Sequence, residues 1–266
     1  MADPFQDVDA AGEDFIQIFA DSMDERQSDP TMERIVAEYL GQLEIDDDSI
    51  LIEVGAGAGA VSRRIAKFAH PAQVIGYDSS VGFVEHAKAR AAGYTNLSFA
   101  VADGAALPLA DESVDNVVFH TVLTHVPQPE LLIAEARRVL KPKGRLVICD
   151  MDFSKATLGN FAHDPLDACA KAFVREFVTD PFIAAKLRPL ILAAGLELGK
   201  FDVQSRVVAA SAQMMPWVMV TTKNMVERGD IGAPLAAALV DEYSRRIAQG
   251  RLYGYQAVAV AIAQKP

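Results

Sequence analysis

The segment Ser49–Ile65, SILIEVGAGAGAVSRRI, restricts the possible folds of this chain more than any other segment. The apolar run Ile50–Ile52 leads into three glycines at alternate positions, and apolar residues then recur at helical spacing. This pattern predicts a buried strand, a tight glycine turn and the N-terminus of a helix. Because glycine lacks a Cβ and the first helical turn has free N–H groups, such a turn can hold a polar ligand against the backbone. A glycine turn without a ligand is the alternative.

The spacing of the glycines distinguishes this turn from two other nucleotide-binding motifs. Gly55, Gly57 and Gly59 follow the pattern GxGxG, whereas the dinucleotide motif GxGxxG would place its third glycine at Ala60. A phosphate loop would need a lysine after the turn, and Val61 follows Ala60 instead. The spacing therefore argues against a nucleoside triphosphate, and a NAD-dependent oxidoreductase is kept only as an alternative.

Acidic residues end three of the strands predicted after the turn. The further strands of this region are predicted over residues 73–78, 97–103, 115–121 and 144–150. Asp78, Asp103 and Asp150 each stand at a strand end, where open α/β sheets bind their ligands. A carboxylate at the end of the second strand can accept hydrogen bonds from both ribose hydroxyls. One such acid is commonly a helix cap, but three beside a glycine turn favour a ligand site.

Taken together, these segments resemble class I S-adenosylmethionine-dependent methyltransferases, and in particular the small-molecule branch that includes ubiquinone and menaquinone biosynthesis enzymes. The resemblance covers about residues 15–205. It is carried by residues 53–59 (EVGAGAG), 77–78 (YD), 101–126 and 135–150. It implies S-adenosyl-L-methionine as cofactor and a Rossmann-like, doubly wound, mostly parallel seven-stranded α/β sheet with an antiparallel last strand.

The resemblance also implies a role for individual residues. The glycine turn would wrap the methionine part of the cofactor, Asp78 would bind the ribose and Asp103 the adenine amino group. Arg26, from an N-terminal helix, would reach the cofactor carboxylate; a solvated helix arginine is the alternative. The complete set of predicted cofactor-binding residues is Arg26, Glu53, Gly55, Ala56, Gly57, Asp78, Ser79, Asp103, Gly104, Ala105 and His120.

Four parts are predicted along the chain. Residues 1–43 form an N-terminal helical arm, 44–210 the cofactor-binding core, 211–250 a helical cap insertion and 251–266 the final strand of the core sheet. We expect the acidic first twelve residues to fray. The cap contains a group of large apolar side chains that suit either a packed core or an apolar substrate: Met214, Met215, Trp217, Met219 and Met225.

Composition excludes several classes of protein. No uninterrupted apolar stretch is long enough for a membrane span, and no basic, apolar leader begins the chain. The two cysteines have neither disulfide-framework nor metal-site spacing, so a reducing cytoplasm is expected. Residues 1–30 hold nine acids and one base, which accounts for most of the net charge of −11. The nearly neutral remainder disfavours a nucleic-acid partner.

His125 is the predicted catalytic residue. It follows the fourth strand, where an acceptor would meet the methyl group, and histidine can take a proton near neutral pH. The alternative is that it only packs against the sheet, since methyl transfer depends largely on alignment. Asp150, Asp152 and His163 are further candidates.

The predicted activity is methylation of a small apolar or aromatic metabolite on oxygen, nitrogen or carbon, with no metal. A cofactor-binding protein of the same fold with other chemistry, or with no catalysis, is the alternative. The oligomeric state is not predicted.

Overall fold

The strands of the molecule form one sheet. The computed structural model describes residues 3–266, and within them the sheet has seven strands. In chain order the strands are β1 (Ile50–Val54), β2 (Gln73–Asp78), β3 (Leu97–Val101), β4 (Val114–His120), β5 (Leu140–Thr157), β6 (Glu197–Val208) and β7 (Gly254–Gln264). Their order across the sheet is β3-β2-β1-β4-β5-β7-β6, and β7 alone runs antiparallel to its neighbours. The predicted fold class is confirmed.

Helices cover both faces of this sheet. They are α1 (Val8–Ala11), α2 (Glu13–Gln27), α3 (Pro30–Leu40), α4 (Ala60–Ala69), α5 (Val81–Arg90), α6 (Pro129–Val139), α7 (Pro165–Phe177), α8 (Ile183–Ala193), α9 (Met215–Arg228) and α10 (Ala233–Ala248). Helices α3 and α4 share a buried apolar cluster with one face, and α6 and α8 share another with the opposite face. Central strands covered on both faces are mostly apolar, which explains the apolar runs Ile50–Ile52 in β1 and Val117–Phe119 in β4.

Strand β5 is longer than the sequence predicts. The expected end was Asp150, followed by mixed helical segments, but the strand continues to Thr157. The reason is its antiparallel neighbour: Asp152 pairs with Ala257 and Thr157 with Tyr255 in β7. Cross-strand pairing thus satisfies backbone groups for which the local sequence gives no strand signal.

The N-terminal residues are anchored rather than frayed, so that expectation was wrong for residues 3–12; residues 1 and 2 lie outside the described part of the chain. The carboxylate of Asp9 accepts hydrogen bonds from Ser80 Oγ (2.6 Å) and from the backbone N–H groups of Val81 (2.8 Å) and Gly82 (3.0 Å). Asp9 therefore satisfies free N–H groups at the N-terminus of α5, where a negative charge is favoured.

The arm and the C-terminal helices form a layer over the carboxyl ends of the central strands. A third apolar cluster joins α2 to α7, α9 and α10 and includes Phe19, Phe173 and Trp217. The rings of Phe173 and Trp217 stack with centroids 4.5 Å apart and planes 2° from parallel. The predicted division of the chain into an arm, a core and a cap stays a prediction.

Candidate active site

A cavity of about 160 Å³, which we name the outer cavity, opens beyond the carboxyl ends of β1 and β4. This is the point where the strand order reverses direction, and ligands of doubly wound sheets bind there. Of the predicted cofactor residues, those that line this cavity are Gly55, Gly57, Asp78, Ser79, Asp103 and Gly104. The structure thus gathers residues from the ends of three different strands around one space.

The glycine turn leaves room for a ligand only because it lacks side chains. Gly55 and Gly57 have φ angles of +71° and +53°, in the left-handed region. A Cβ on Gly55 would overlap the methyl groups of Val122, and one on Gly57 would lie 2.7 Å from Met23 Sδ. A side chain at Gly55 or Gly57 would therefore fill the space beside the turn, which we call the glycine cradle. Glycine is expected at positions where a ligand approaches the backbone closely.

Asp78 connects the glycine turn to the second strand. Its Oδ2 accepts a hydrogen bond from Gly57 N (2.7 Å), and its Oδ1 accepts one from Ser80 N (2.9 Å). Burial raises the pKa of this carboxyl above the usual 3.8, and the two backbone N–H groups oppose that shift. Each carboxylate oxygen has a second lone pair, so Asp78 can still accept hydroxyl donors. The exposed Asp103 accepts from Ala105 N (2.8 Å) at the other side of the cavity.

Other predicted cofactor residues lie behind the cavity wall. Glu53 is buried and accepts a hydrogen bond from Ser62 Oγ in α4; burial raises its pKa to about 8. Ala56 N donates to Tyr77 O (2.9 Å) and thereby fixes the turn on β2. Neither residue is among those lining the outer cavity. Their roles, and that of Ala105, stay predictions.

His120 is also buried behind the wall. Its imidazole lies between Gln27 Nε2 (3.1 Å) and Tyr39 Oη (3.2 Å). Burial, with help from nearby Arg26 and Arg64, lowers its pKa to about 3, so the ring is neutral at physiological pH. Thr121 follows it with φ at +58° and carries the chain to the cavity surface.

A second cavity of about 80 Å³, the inner cavity, lies between α2, the ends of β4 and β5, and the cap helices. Five aromatic side chains line it: Phe5, Phe19, Phe153, Phe173 and Trp217. Polar groups form its other end: Arg26, Arg206, Gln213 and Gln256. Four residues line both cavities: Phe5, Met23, Thr121 and His125. The two cavities therefore adjoin, and Arg26 faces the inner one.

His125 stands at the junction of the two cavities. Its Nδ1 donates a hydrogen bond to Asp3 Oδ2 (2.9 Å), and its ring lies 4.4 Å from that of Phe5. The loop before it is held by buried Asp150, which accepts from Val122 N (3.2 Å) and Thr124 N (3.3 Å). Burial raises the pKa of Asp150 to about 6. These contacts fix the imidazole at the junction of the two cavities.

The remaining catalytic candidates lie elsewhere. Asp152 accepts hydrogen bonds from Ser154 N (3.2 Å) and Ser154 Oγ in a local turn, and His163 is exposed. Neither lines the inner or the outer cavity. The sequence did not identify Asp3, Phe5 and Arg206 as residues that line the cavities or contact their walls, because no local sequence pattern marks them. In the described residues 3–266, no helix is long and apolar enough to cross a membrane, and no cluster of metal-ligating side chains occurs.

Comparison with protein families agrees with this geometry. Residues 52–148, from β1 into β5, match a family model described as a methyltransferase domain. Residues 52–148 are therefore similar in sequence to methyltransferase domains. The match confirms the resemblance to the S-adenosylmethionine-dependent enzymes. The matched residues include the glycine turn, both outer-cavity aspartates and His125, while the arm and the cap lie outside them.

Individual relatives extend the methyltransferase comparison. An uncharacterized 37.1 kDa protein in transposon Tn4556 of Streptomyces fradiae is 30% identical over 214 residues, covering 80% of this chain and 61% of that protein. A demethylmenaquinone methyltransferase of Clavibacter sepedonicus is 35% identical over 114 residues, covering 43% and 46%. This chain thus spans about half to three-fifths of the length of these relatives. The [4+2]-cyclase SpnF shares the fold, with a TM-score of 0.56, 23% identity, and coverage of 88% of this chain and 81% of SpnF.

Proposed function

We propose that this chain is an S-adenosylmethionine-dependent methyltransferase that acts on a small apolar or aromatic metabolite. The observation that carries the proposal is the junction of two cavities of different character. One has a glycine cradle and carboxylates suited to a nucleoside, and the other has an aromatic wall suited to an apolar acceptor. His125 and Thr121 line both.

The residues of the outer cavity fit the cofactor. The side-chain-free cradle at Gly55 and Gly57 would hold its methionyl part, and Asp78 would accept hydrogen bonds from the ribose. Asp103 would lie by the adenine. When bound, S-adenosylmethionine supplies an electrophilic methyl group on a sulfonium. The protein's share is to hold that group and the acceptor in line, because alignment of two reactants lowers the barrier strongly.

The inner cavity would hold the acceptor and exclude water. Phe173 and Trp217 contribute stacked rings to its wall, Phe173 is also stacked on Phe177, and Phe153 lies 5.7 Å from the indole. Aromatic rings prefer such stacked or edge arrangements, worth about 0.5–1.5 kcal/mol per pair beyond simple burial. An acceptor ring would add to this stack.

His125 would act as a general base when the acceptor nucleophile carries a proton. Donation from Nδ1 to Asp3 places the lone pair of a neutral imidazole on Nε2. A histidine so oriented can remove a proton from a hydroxyl or amine within hydrogen-bond reach. Asp3 is then a positioning residue, since it acts through His125.

The fold also accommodates a second candidate function. The similarity to the [4+2]-cyclase SpnF favours a protein that holds the cofactor but rearranges a substrate in the inner cavity without methyl transfer. The two functions differ in the fate of the cofactor, which only a methyltransferase converts to S-adenosylhomocysteine.

Calorimetric titration and a turnover assay test the proposal. We expect S-adenosylmethionine and S-adenosylhomocysteine to bind, with little response to NAD. Incubation with a panel of phenols, aromatic amines and aromatic acids should then release S-adenosylhomocysteine. Binding of NAD alone would refute the proposed cofactor. Substrate conversion with intact cofactor would favour the second function. A cytoplasmic location and a small-molecule partner stay predictions.

A further inference from the structure

The polar end of the inner cavity contains a buried cation that the proposed chemistry does not use. Arg206, on β6, is 1% exposed and lines the cavity. Its Nη1 donates to Gln256 Oε1, its partner across the β6–β7 ladder, and its Nε lies 3.4 Å from Asp29 Oδ1. Its Nη2 is buried without a hydrogen-bond partner within residues 3–266. A buried guanidinium nitrogen without an acceptor is costly, so a missing partner is indicated.

A second guanidinium makes the region more positive. Arg26 lines the same cavity, and its buried Nε also lacks a hydrogen-bond partner. Within residues 3–266, no carboxylate lies within ion-pair distance of the Arg26 guanidinium. Burial and the nearby charge of Arg206 lower the pKa of Arg26 to about 10, which leaves it protonated. Two cations thus face one cavity.

Acidic groups also lie near the two arginines: Asp29 and Glu25 near Arg206, and Asp150 and Glu53 near Arg26. Asp29 lies near Arg206, but its Oδ1 already accepts hydrogen bonds from Thr31 N (3.0 Å) and Met32 N (3.1 Å) as the cap of α3. Glu53 has a pKa raised to about 8 by burial, so it is mostly neutral at pH 7. The unpartnered Nη2 of Arg206, rather than the net charge around it, is therefore what indicates a missing acceptor.

Gln213 adds a further group. Its side chain lines the cavity, and its Nε2 lies 3.4 Å from Asp29 Oδ2, at the limit of a hydrogen bond. The guanidinium of Arg206 and the amide groups of Gln213 and Gln256 thus form a polar cluster in the wall of a cavity that aromatic rings also line. A guanidinium offers paired N–H donors that match a carboxylate.

We infer that Arg206 forms an anion subsite for a carboxylate on the acceptor, whose apolar body lies against Phe173 and Trp217. The acceptor class is thus an apolar or aromatic carboxylic acid. This inference rests on the proposed function, because it treats the inner cavity as the acceptor site. The cofactor's own carboxylate is the other possible source of the anion. Arg206 lines the inner cavity and not the outer one, which favours the acceptor.

The chain's single tryptophan, Trp217, lines the inner cavity and reports its occupancy by fluorescence. The probes are benzoate, phenylacetate, 3-phenylpropanoate and 4-phenylbutanoate, each paired with its neutral amide, titrated in the presence of S-adenosylhomocysteine. We expect at least one acid to bind roughly tenfold or more tighter than its amide, as for a hydrogen bond to a charged group. In Arg206→Gln that preference should disappear while the affinity for S-adenosylhomocysteine is unchanged.

Control measurements separate the outcomes. Arg188→Gln removes an exposed cation from α8 and should change nothing. If Arg206→Gln does not fold, Arg206→Lys replaces it: this variant keeps the charge but loses the paired N–H donors of the guanidinium, so the acid preference should fall, and an unchanged preference would assign the anion to Arg26 instead. Equal affinity of acids and amides, or no acid binding, would overturn the inference. So would a variant that loses S-adenosylhomocysteine binding but keeps the acid preference, since the anion would then belong to the cofactor. Binding of S-adenosylhomocysteine is measured separately. If the acids bind more tightly than their amides but S-adenosylhomocysteine does not bind, the proposed function is refuted and the anion subsite is still supported.

Discussion

Asp3 and His125, 122 positions apart in the sequence, form a partly buried hydrogen-bonded pair at 2.9 Å. Asp3 Oδ2 also accepts from Thr179 N (3.0 Å) and Thr179 Oγ1 (2.9 Å). The N-terminal segment is thereby pinned across the junction of the two cavities. If His125 is the proposed base, Asp3 gives the arm a chemical role, because the aspartate fixes which imidazole nitrogen carries the proton.

Replacement of Asp3 by asparagine should change the tautomer of His125. The carboxylate only accepts, whereas the amide can also donate to Nδ1 and so favour the other tautomer. Long-range ¹⁵N–¹H correlation spectra should show a proton on Nδ1 in the wild type and a mixture in Asp3→Asn. Asp7→Asn, which changes the exposed cap of α1, is the control. An unchanged tautomer would show that Asp3 serves only to anchor the arm.

Removal of the imidazole should separate catalysis from binding. If His125 is the base, His125→Ala should lower kcat by roughly 10²–10⁴ and preserve cofactor affinity. Added imidazole should restore part of the turnover. A variant that loses stability but retains its turnover per folded molecule would indicate that His125 only packs, and alignment would then be the main catalytic device.

A side chain in the glycine turn should block the cofactor. Gly55→Ala places a Cβ against Val122 in addition to the cost of about 1–2 kcal/mol for alanine in the left-handed region. Gly229→Ala is a matched control, because Gly229 has a similar φ of +78° and open space around it. We expect both variants to lose stability and only Gly55→Ala to lose calorimetric binding of S-adenosylhomocysteine. Equal binding by both would argue against this cradle.

Asp78 should contribute strongly to cofactor affinity. Charge-assisted hydrogen bonds are worth roughly 1.5–3 kcal/mol each, so Asp78→Ala should weaken binding at least about tenfold. Since Asp78 also accepts from Ser80 N at the start of α5, some stability should be lost as well. Ser80→Ala removes the side-chain cap of the same helix and controls for that loss. Unchanged affinity in folded Asp78→Ala would exclude Asp78 from the site.

Glu53 should make the protein less stable as the pH rises. Burial raises its folded-state pKa from the usual 4.5 to about 8, so its contribution to stability is complete below pH 4.5 and is lost as the pH rises through 8. The free energy of unfolding should fall by up to about 1.4 kcal/mol per pH unit in this range. His120, whose pKa is lowered to about 3, acts in the opposite direction only below pH 6.5.

Urea unfolding between pH 6.5 and 8 therefore isolates the effect of Glu53. The neutral, isosteric Glu53→Gln should show a flatter dependence on pH than the wild type. The exposed Glu85→Gln on α5 should keep the wild-type slope. Parallel slopes for Glu53→Gln and the wild type would show that Glu53 is ionised in the folded protein throughout this range.

The sequence by itself determined the first strand, the glycine turn and the following helix, together with the alternation that gives the parallel part of the sheet. Those features arise from apolar spacing and glycine within a few residues, so a local segment contains the information. It also placed Asp78 and Asp103 correctly at one edge of the sheet, because parallel strands bring their carboxyl ends together.

Only the tertiary structure decided which distant side chains meet. Asp3 reaches His125, Arg206 faces the cavity that Arg26 also lines, and β5 continues to Thr157 because β7 pairs with it. None of these contacts follows from spacing along the chain. They depend on how the arm, the sheet and the cap pack, and that packing is set by the summed burial of many apolar side chains rather than by any local segment.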